Sequence, residues 1–481
     1  MLQKTDFYIG GQWVAPKVPK SFEVFNPATE TPFATISLGS KVDLDNAVTS
    51  AREAFKHWSQ TVCEERLELL ERLAEIYERR SEEMAQAISS EMGAPIKLAI
   101  NAQTAAGLGH IKAFIRAIKD YKFEHPLRKD TQEEYIIHEP IGVCGLITPW
   151  NWPMNQVTLK VIPAIGVGCT VILKPSEIAP ISSMLFAEFV DEAGFPKGVF
   201  NLVNGDGAVI GEAMSHHPDI DLISFTGSTR AGIAVTQGAS ETVKRVALEL
   251  GGKGANIIFS DCDVSKAVKR GVQHCFNNTG QSCNAPTRML VERTVYDEAV
   301  RVARETAENT QIDQPNLHGN HIGPVVSEVQ FEKIQALIEL GIEEGARLIA
   351  GGVGRPEGFN KGYFVRPTIF ADVNNNMQIA REEIFGPVLS MIPFDTEEEA
   401  IEISNDTNYG LTDYVQSGDS DRTQRVSRQL RAGMVQVNGA GRAAGSPFGG
   451  YKQSGNGREG GVYGFEEFLE IKAVSGWTST S

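Results

Sequence analysis

The chain has 481 residues, 41% of them hydrophobic and 22% charged, and a formal net charge of −16. That length exceeds what one hydrophobic core serves, so two or three domains are expected, and the composition is that of a folded protein, not a disordered one. The acidic balance argues against nucleic acid or an anionic membrane as partner, since both select basic patches, but it leaves room for a small basic pocket that takes phosphates.

The first residues carry no basic stretch followed by an apolar run, so no leader is expected and a cytoplasmic protein is anticipated. The long apolar stretch Val157 to Leu173 contains Lys160 and Pro163, which makes it a poor membrane span and a good buried helix-and-strand segment. The six cysteines are scattered without CxxC pairs, as reduced thiols are. His318 and His321 have no Cys or carboxylate nearby to complete a site, and a metal enzyme is not supported.

In chain order, "CEERLELLERLAEIYERRSEEMAQAISSEMG" places apolar residues at Leu67, Leu70, Leu73, Ile76, Tyr77, Met84 and Ile88. That spacing predicts one long amphipathic helix, stopped by Gly93 and Pro95. "EEYIIHEPIG" follows as an alternating strand. From Ile141 the runs "IGVCGLITP", "GCTVILKP" and "LISFTGST" read as buried parallel strands, with "MLFAEFVDEAG" and "AVIGEAMSHH" as helices between them. A second alternation, "GANIIFS", "VSKAVKRGVQHCF", "TRMLVERT" and "VYDEAVRVARETAEN", makes a second α/β unit. The closing "EEFLEIKAVSGW" is strand-like and, with the segment before Ile141, is expected to form an excursion sheet or two bare edges.

Within the second unit lies "FNNTGQSCNAPTR", where Cys283 stands in a polar, glycine-punctuated loop, an unusual place for a residue that is normally buried. A loop thiol can act as a nucleophile once ionised, but a free cysteine has a pKa of about 8.5 and needs a partner. Nucleophile and structural thiol both stay open at this point, and His274 keeps a Cys–His hydrolase among the readings. In "VALELGGKGANII", Glu249 interrupts an apolar run, either as a buried base or as a strand-end carboxylate in solvent or paired with Lys253. In "TPWNWP", Asn151 is either a donor to a developing oxyanion or a helix cap. "KPSE" sets Lys174 and Glu177 at a strand's C-terminal end, where open α/β sheets bind ligands. "GDGAVIG" is GxGxxxG and fails as a dinucleotide fingerprint, whereas "FTGSTRAG" turns from a strand into a helix whose N–H groups can meet an anion.

Taken in order, "PWNWP", "KPSE", "FTGST", "LELGGK", "GQSC", "EEIFGPV" and "PFGGYKQSGNGRE" resemble the NAD(P)-dependent aldehyde dehydrogenases, across residues 149 to 459. The resemblance implies an α/β fold with two doubly wound domains and a small oligomerisation β-excursion. Residues 1–121 and 141–250 would bind the dinucleotide, 251–445 would form the catalytic domain, and 122–140 with 466–481 would be the oligomerisation strands of a homodimer or homotetramer. It implies Cys283 as nucleophile, forming a thiohemiacetal and then a thioester, with Asn151 and the Cys283 N–H holding the oxyanion and Glu249 activating the hydrolytic water. Glu459 would either help move protons or serve structure.

For the cofactor, the resemblance points to Ile147, Pro149, Trp150, Lys174, Ser176, Glu177, Gly207, Gly211, Phe225, Gly227, Ser228, Gly232, Gly251, Glu383 and Phe385. Glu177 at the ribose disfavours a 2′-phosphate, which makes NAD the expected cofactor, while Lys174 and Ser176 keep NADP open. A glutamate at the "ELGGK" position argues for hydrolysis over transfer of the acyl group to coenzyme A, the alternative reaction; a non-catalytic use of the fold would go with a lost nucleophile. By position, Trp152, Gln156, Leu159, Asn277, Asn284 and Arg442 would line the substrate pocket, more polar than long alkyl aldehydes need. Arg442 would pair with the carboxylate of a semialdehyde or else be a solvated loop arginine; the rings of Trp150 and Trp152 would instead suit a cationic aldehyde.

Overall fold

The structure, a computed structural model, describes residues 1–131 and 133–477. Two sheets dominate it. The eight-stranded one runs in the order Gly455–Asn456, Arg245–Glu249, Leu222–Thr226, Val143–Ile147, Thr170–Lys174, Phe200–Leu202, Phe7–Ile9 and Gln12–Val14. Its middle five strands are parallel, and every residue of Val143–Ile147, Thr170–Lys174 and Leu222–Thr226 is buried. Burial on both faces is why these runs are continuously apolar instead of alternating. From Val143–Ile147 the chain builds outward on one side, then returns to build on the other, so a crevice opens beyond Ile147 and Thr226.

The seven-stranded sheet runs Arg347–Ala350, Thr368–Ala371, Val388–Phe394, Arg288–Glu292, Ala255–Ile258, Thr412–Gln416 and Met434–Val437. All of its pairings are parallel except that of the outermost strand, Arg347–Ala350. Two features lie outside the expected plan. Leu2–Lys4, Ser21–Asn26 and Thr31–Ser37 form a separate small sheet, and Gly455–Asn456 carries the chain back to pair with the strand that ends in Glu249.

The predicted excursion strands do meet. Leu469–Ser475 pairs antiparallel with Glu134–Pro140 over seven residues, and Glu124–Pro126 completes the sheet. Residues 466–468 of the expected strand are not strand, and 478–481 lie outside the described residues.

The single long helix expected over residues 63–93 is two, Cys63–Arg79 and Ser81–Met92. Arg80 leaves helical geometry at φ −102 and ψ 18, and its guanidinium turns to Glu83, Glu188 and Glu192 while stacking on Phe189. The break lets Met84 and Ile88 bury a face of their own. Gly93 ends the second helix in the left-handed conformation, as a C-terminal glycine does.

Candidate active site

The thiol loop follows the helix Val264–Phe276 and turns through Asn278 and Thr279, both left-handed at φ 53 and φ 56. A β-branched residue there is strained, so the surroundings must impose the shape. The Asn278 amide donates to the carbonyls of Asn151 (2.9 Å) and Gln281 (3.2 Å), while its own side-chain oxygen accepts from Gln103 (2.9 Å). Thr279 Oγ1 donates to Gly323 O, and Gln281 Oε1 accepts from Val326 N–H. Asn151 Nδ2 donates to Gln281 O at 3.0 Å, which leaves its second amide proton free. The helix after it, Pro153–Gly166, has Trp152 at its N-cap and no side-chain cap, so Asn151 is not the cap.

Cys283 comes out of this turn partly exposed. Tyr414 Oη donates to Asn284 O at 2.6 Å and fixes the loop on its far side. The Cys283 carbonyl packs against Gly252, where a Cβ would fall 2.4 Å from it, so the "GG" after Glu249 is what allows the strand end and the thiol loop to touch. Burial pushes the thiol well above its ordinary pKa, and the carboxylates of Glu383, Glu249 and Glu459 push it further, so the thiol holds its proton until a base takes it.

Glu249 ends its strand 4% exposed, with neither carboxylate oxygen hydrogen-bonded. Lys253, the pairing partner considered above, is itself buried, its amine without a partner and its pKa pushed down to about 7 by desolvation. Both the solvated and the ion-paired readings of Glu249 therefore fail. Desolvation, then the charge of Glu459, hold Glu249 well above the usual carboxylate range; Lys160 and Arg458 pull it back. Glu459 is buried as well and pairs with Lys160 Nζ at 2.5 Å, and the same amine donates to Ser224 Oγ at 3.0 Å.

At the crevice of the first sheet, Ile147 and Phe225 are buried strand ends and Pro149 is half-buried. Trp150 and Phe385 meet edge to face at 5.4 Å, Phe385 with φ 58. Glu383 accepts from Gly252 N–H at 2.8 Å and lies so close to Gly251 that a Cβ there would come within 2.4 Å of its carboxylate. Lys174 is buried, donating to Pro175 O at 2.9 Å with Glu177 Oε2 at 3.4 Å, and Ser176 Oγ accepts from Ile178 N–H. Ser228 caps the helix Thr229–Ser240, whose Gly232 packs on Leu250, and Gly227 lies against the Phe225 ring. Gly207 and Gly211 face open space, with no atom within 4 Å of where a Cβ would stand.

The expected substrate residues do not all gather. Trp152 donates from Nε1 to Ser282 Oγ at 2.8 Å, and Asn284 sits beside the thiol. Leu159 lies behind Glu249 and Glu459, lining a small cavity between them and Phe468, because its helix turns that face inward. Gln156, on the same buried helix, has a side-chain oxygen without a partner. Asn277 is exposed and lines a separate groove of about 780 Å3 with Lys97 and Lys269; it precedes the left-handed turn and so points away from the thiol. Arg442 stacks on Phe448, 4.7 Å from the ring centre, and its charge reaches Cys283 and Tyr414.

Four residues of the site escaped the sequence. Lys160 had a signal, a lone charge in an apolar stretch; Tyr414, His110 and Asn155, the last two joined at 2.8 Å, had none. Among the described residues no three His, Cys, Asp or Glu side chains gather as a metal would need, and no helix is long and apolar enough to cross a membrane.

Known proteins share this arrangement along almost the whole chain. The sequence profile of the aldehyde dehydrogenase family matches residues 13–474. A 3-succinoylsemialdehyde-pyridine dehydrogenase of a Pseudomonas species is 54% identical over 98% of this chain and 98% of its own. The crystal structure of an aldehyde dehydrogenase from Bartonella henselae is 58% identical, with a TM-score of 0.98 over 99% of this chain and 100% of that one. A mutant of aldehyde dehydrogenase C from Pseudomonas syringae, solved with NAD+ and octanal, is 49% identical with a TM-score of 0.97, covering 99% and 97%. Matched from its first sheet to its last strand, the chain belongs to the aldehyde dehydrogenase family.

Proposed function

We propose that the protein oxidises a polar-ended aldehyde to the carboxylic acid with NAD, through a thiohemiacetal and a thioester on Cys283, the thioester being hydrolysed by water that Glu249 activates. The observation that carries this reading is the Glu249 carboxylate, buried, unpartnered and close enough to the thiol to raise its pKa. A base with its affinity for protons raised by burial suits taking the thiol proton first and a water proton later.

The cleft beyond Ile147 and Thr226 fits a dinucleotide. Gly207 and Gly211 leave open room, the first turn after Ser228 offers N–H groups, and Glu383 lies at Gly251 and Gly252. NAD, when bound, supplies the hydride acceptor. Trp150 and Phe385 would hold the nicotinamide side, and Lys174, Ser176 and Glu177 the adenosine ribose. Glu177 is already close to the Lys174 amine, a pairing that leaves little positive charge for a 2′-phosphate and supports NAD over NADP.

Asn151 would give its free amide proton to the oxyanion formed as Cys283 adds to the carbonyl, together with the Cys283 N–H. Once the proton taken from the thiol has been passed on, hydrolysis releases the carboxylate, and of the two protons of the attacking water one returns to the sulfur and the other ends on Glu249. Glu459, paired with Lys160, is the neighbouring carboxylate through which the proton on Glu249 would leave.

Trp152, Asn284, His110 and Asn155 give the substrate side a polar lining, which supports an aldehyde with a polar far end. The relative named for a semialdehyde and the one solved with octanal bracket the choice. We assign 1–121 and 141–250 to cofactor binding, 251–445 to catalysis, and the Glu134–Pro140 and Leu469–Ser475 pair, whose outer strand carries the exposed Ile471, to subunit contact in a homodimer or homotetramer. The free cysteines suit the cytoplasm.

The test is formation of reduced nicotinamide from a panel of aliphatic, aromatic, cationic and acidic aldehydes, with and without coenzyme A, with Cys283→Ala as control. Turnover without coenzyme A that vanishes in the variant is expected. An absolute requirement for coenzyme A, with an acyl-coenzyme A product, would overturn the hydrolytic reading.

A further inference from the structure

Resting on that reading, we propose that Arg442 selects the substrate, favouring aldehydes whose far end carries a planar oxygen acceptor, a carboxylate or a ketone carbonyl, over alkyl aldehydes of the same length.

The segment that carries Arg442 is held in place. Asn438, at φ 52, exchanges two hydrogen bonds with Ser417, its oxygen accepting from Ser417 N–H at 3.1 Å and its amide donating to Ser417 O at 2.9 Å. Next to it, Gly439 lies against the Arg270 guanidinium so closely that a Cβ would fall 2.4 Å from it, and Arg270 is anchored in turn by Gln416. Arg442 thus starts from a fixed base and ends on a fixed platform. Phe448, beneath its guanidinium, exchanges two backbone hydrogen bonds of 2.7 Å with Glu459.

The groups in contact with the guanidinium are neutral, while the carboxylates of Glu249 and Glu459 act on it from further off. It lies over the Phe448 ring, and its NH1 group is 3.5 Å from Met434 Sδ, a weak acceptor. Some other arginines at the surface are paired, as Arg381 is with Asp406 and Arg425 with Glu397, and no described carboxylate pairs with Arg442. Its charge is nonetheless felt at Cys283, Tyr414 and, across the cleft, His110.

Three other polar groups on that side are already committed to the protein. Trp152 Nε1–H is given to Ser282, Tyr414 Oη–H to Asn284, and His110 is joined to Asn155. Arg442 is exposed, so its strong donors face solvent and no protein group offers them a strong acceptor. A guanidinium in that state is a fork for planar oxygens, and its desolvation under a bound substrate makes an alkyl end in the same place costly.

The test compares pentanal, laevulinaldehyde and glutaric semialdehyde on the wild type, Arg442→Lys and Arg442→Met. In the wild type, kcat/KM for the two oxygen-ended aldehydes is expected to exceed that for pentanal by about 10- to 100-fold, the range of one charge-assisted hydrogen bond. In Arg442→Met both ratios should fall toward one. Arg442→Lys should keep most of the preference for the semialdehyde and lose that for the ketone, since an ammonium keeps the charge but not the fork. Ratios near one in the wild type, or full preference in Arg442→Met, overturn the proposal. Calorimetric binding of pentanoate, laevulinate and glutarate to the wild type and Arg442→Met reads the same ranking without turnover. If no aldehyde is oxidised unless coenzyme A is present and the acids still rank as expected, the hydrolytic reading fails and the role of Arg442 stands.

Discussion

The side-chain amide of Asn151 donates to the carbonyl of Gln281 at 3.0 Å, two residues before Cys283, and with the bonds from Asn278 to Asn151 O and from Trp152 to Ser282 it ties the first sheet's crevice to the nucleophile's loop. One amide proton is spent on positioning and the other is free for the oxyanion. Asn151→Asp is therefore expected to act twice, removing the oxyanion donor and setting a carboxylate against the Gln281 carbonyl. The loss in kcat should be about 100- to 1,000-fold, as for other such donors, with KM for NAD little changed. Steady-state kinetics reads this, and a change confined to KM would refute the oxyanion role.

The pair Lys160–Glu459 beside Glu249 predicts shifts of opposite sign. Glu459 raises the Glu249 pKa and Lys160 lowers it. If kcat needs ionised Glu249, activity is lost as pH falls through that pKa. Glu459→Gln should move the acid limb of the kcat profile to lower pH and Lys160→Met should move it to higher pH. Breaking a buried pair also destabilises by about 3–5 kcal/mol, so the profiles are read well below each variant's melting temperature. Limbs that move in the same direction would exclude this electrostatic role.

Cofactor choice is expected to depend on Glu177. With its carboxylate beside the Lys174 amine, a 2′-phosphate meets repulsion and finds little free positive charge. Glu177→Gln removes the first and frees the second, so the ratio of kcat/KM for NADP to that for NAD should rise about tenfold or more. An unchanged ratio in the variant would mean that the ribose is read elsewhere.

Gly280 closes the turn before the thiol at φ 75, and a Cβ there would fall 2.0 Å from the carbonyl oxygen of Gly386, next to Phe385. Gly280→Ala should cost about 1–3 kcal/mol in backbone strain alone. It should also displace the Phe385 segment from Trp150. A lower melting temperature together with a raised KM for NAD is expected; a lower melting temperature alone would separate the turn from the cofactor cleft.

The sequence alone was enough to place the parallel strands and the thiol, because those signals are local. Buried strands such as "VCGLI" are apolar throughout, and Cys283 is conspicuous by standing in a polar loop. The seven motifs in order carried the family. What chain order could not convey is which surfaces meet. Nothing local distinguishes Leu159, turned behind the two glutamates, from a residue at the pocket mouth, or Asn277, just before a left-handed turn, from Asn284 beside the thiol. The helix break at Arg80 depends on Glu188, Glu192 and Phe189, about a hundred residues away, so periodicity could not foresee it. Above all, whether Glu249 was a solvated strand end, half of an ion pair or a bare buried base is a question of desolvation. Only the packing of Glu459, Lys160 and Gly449 around it decided that, because burial is a property of the folded chain and not of any residue in it.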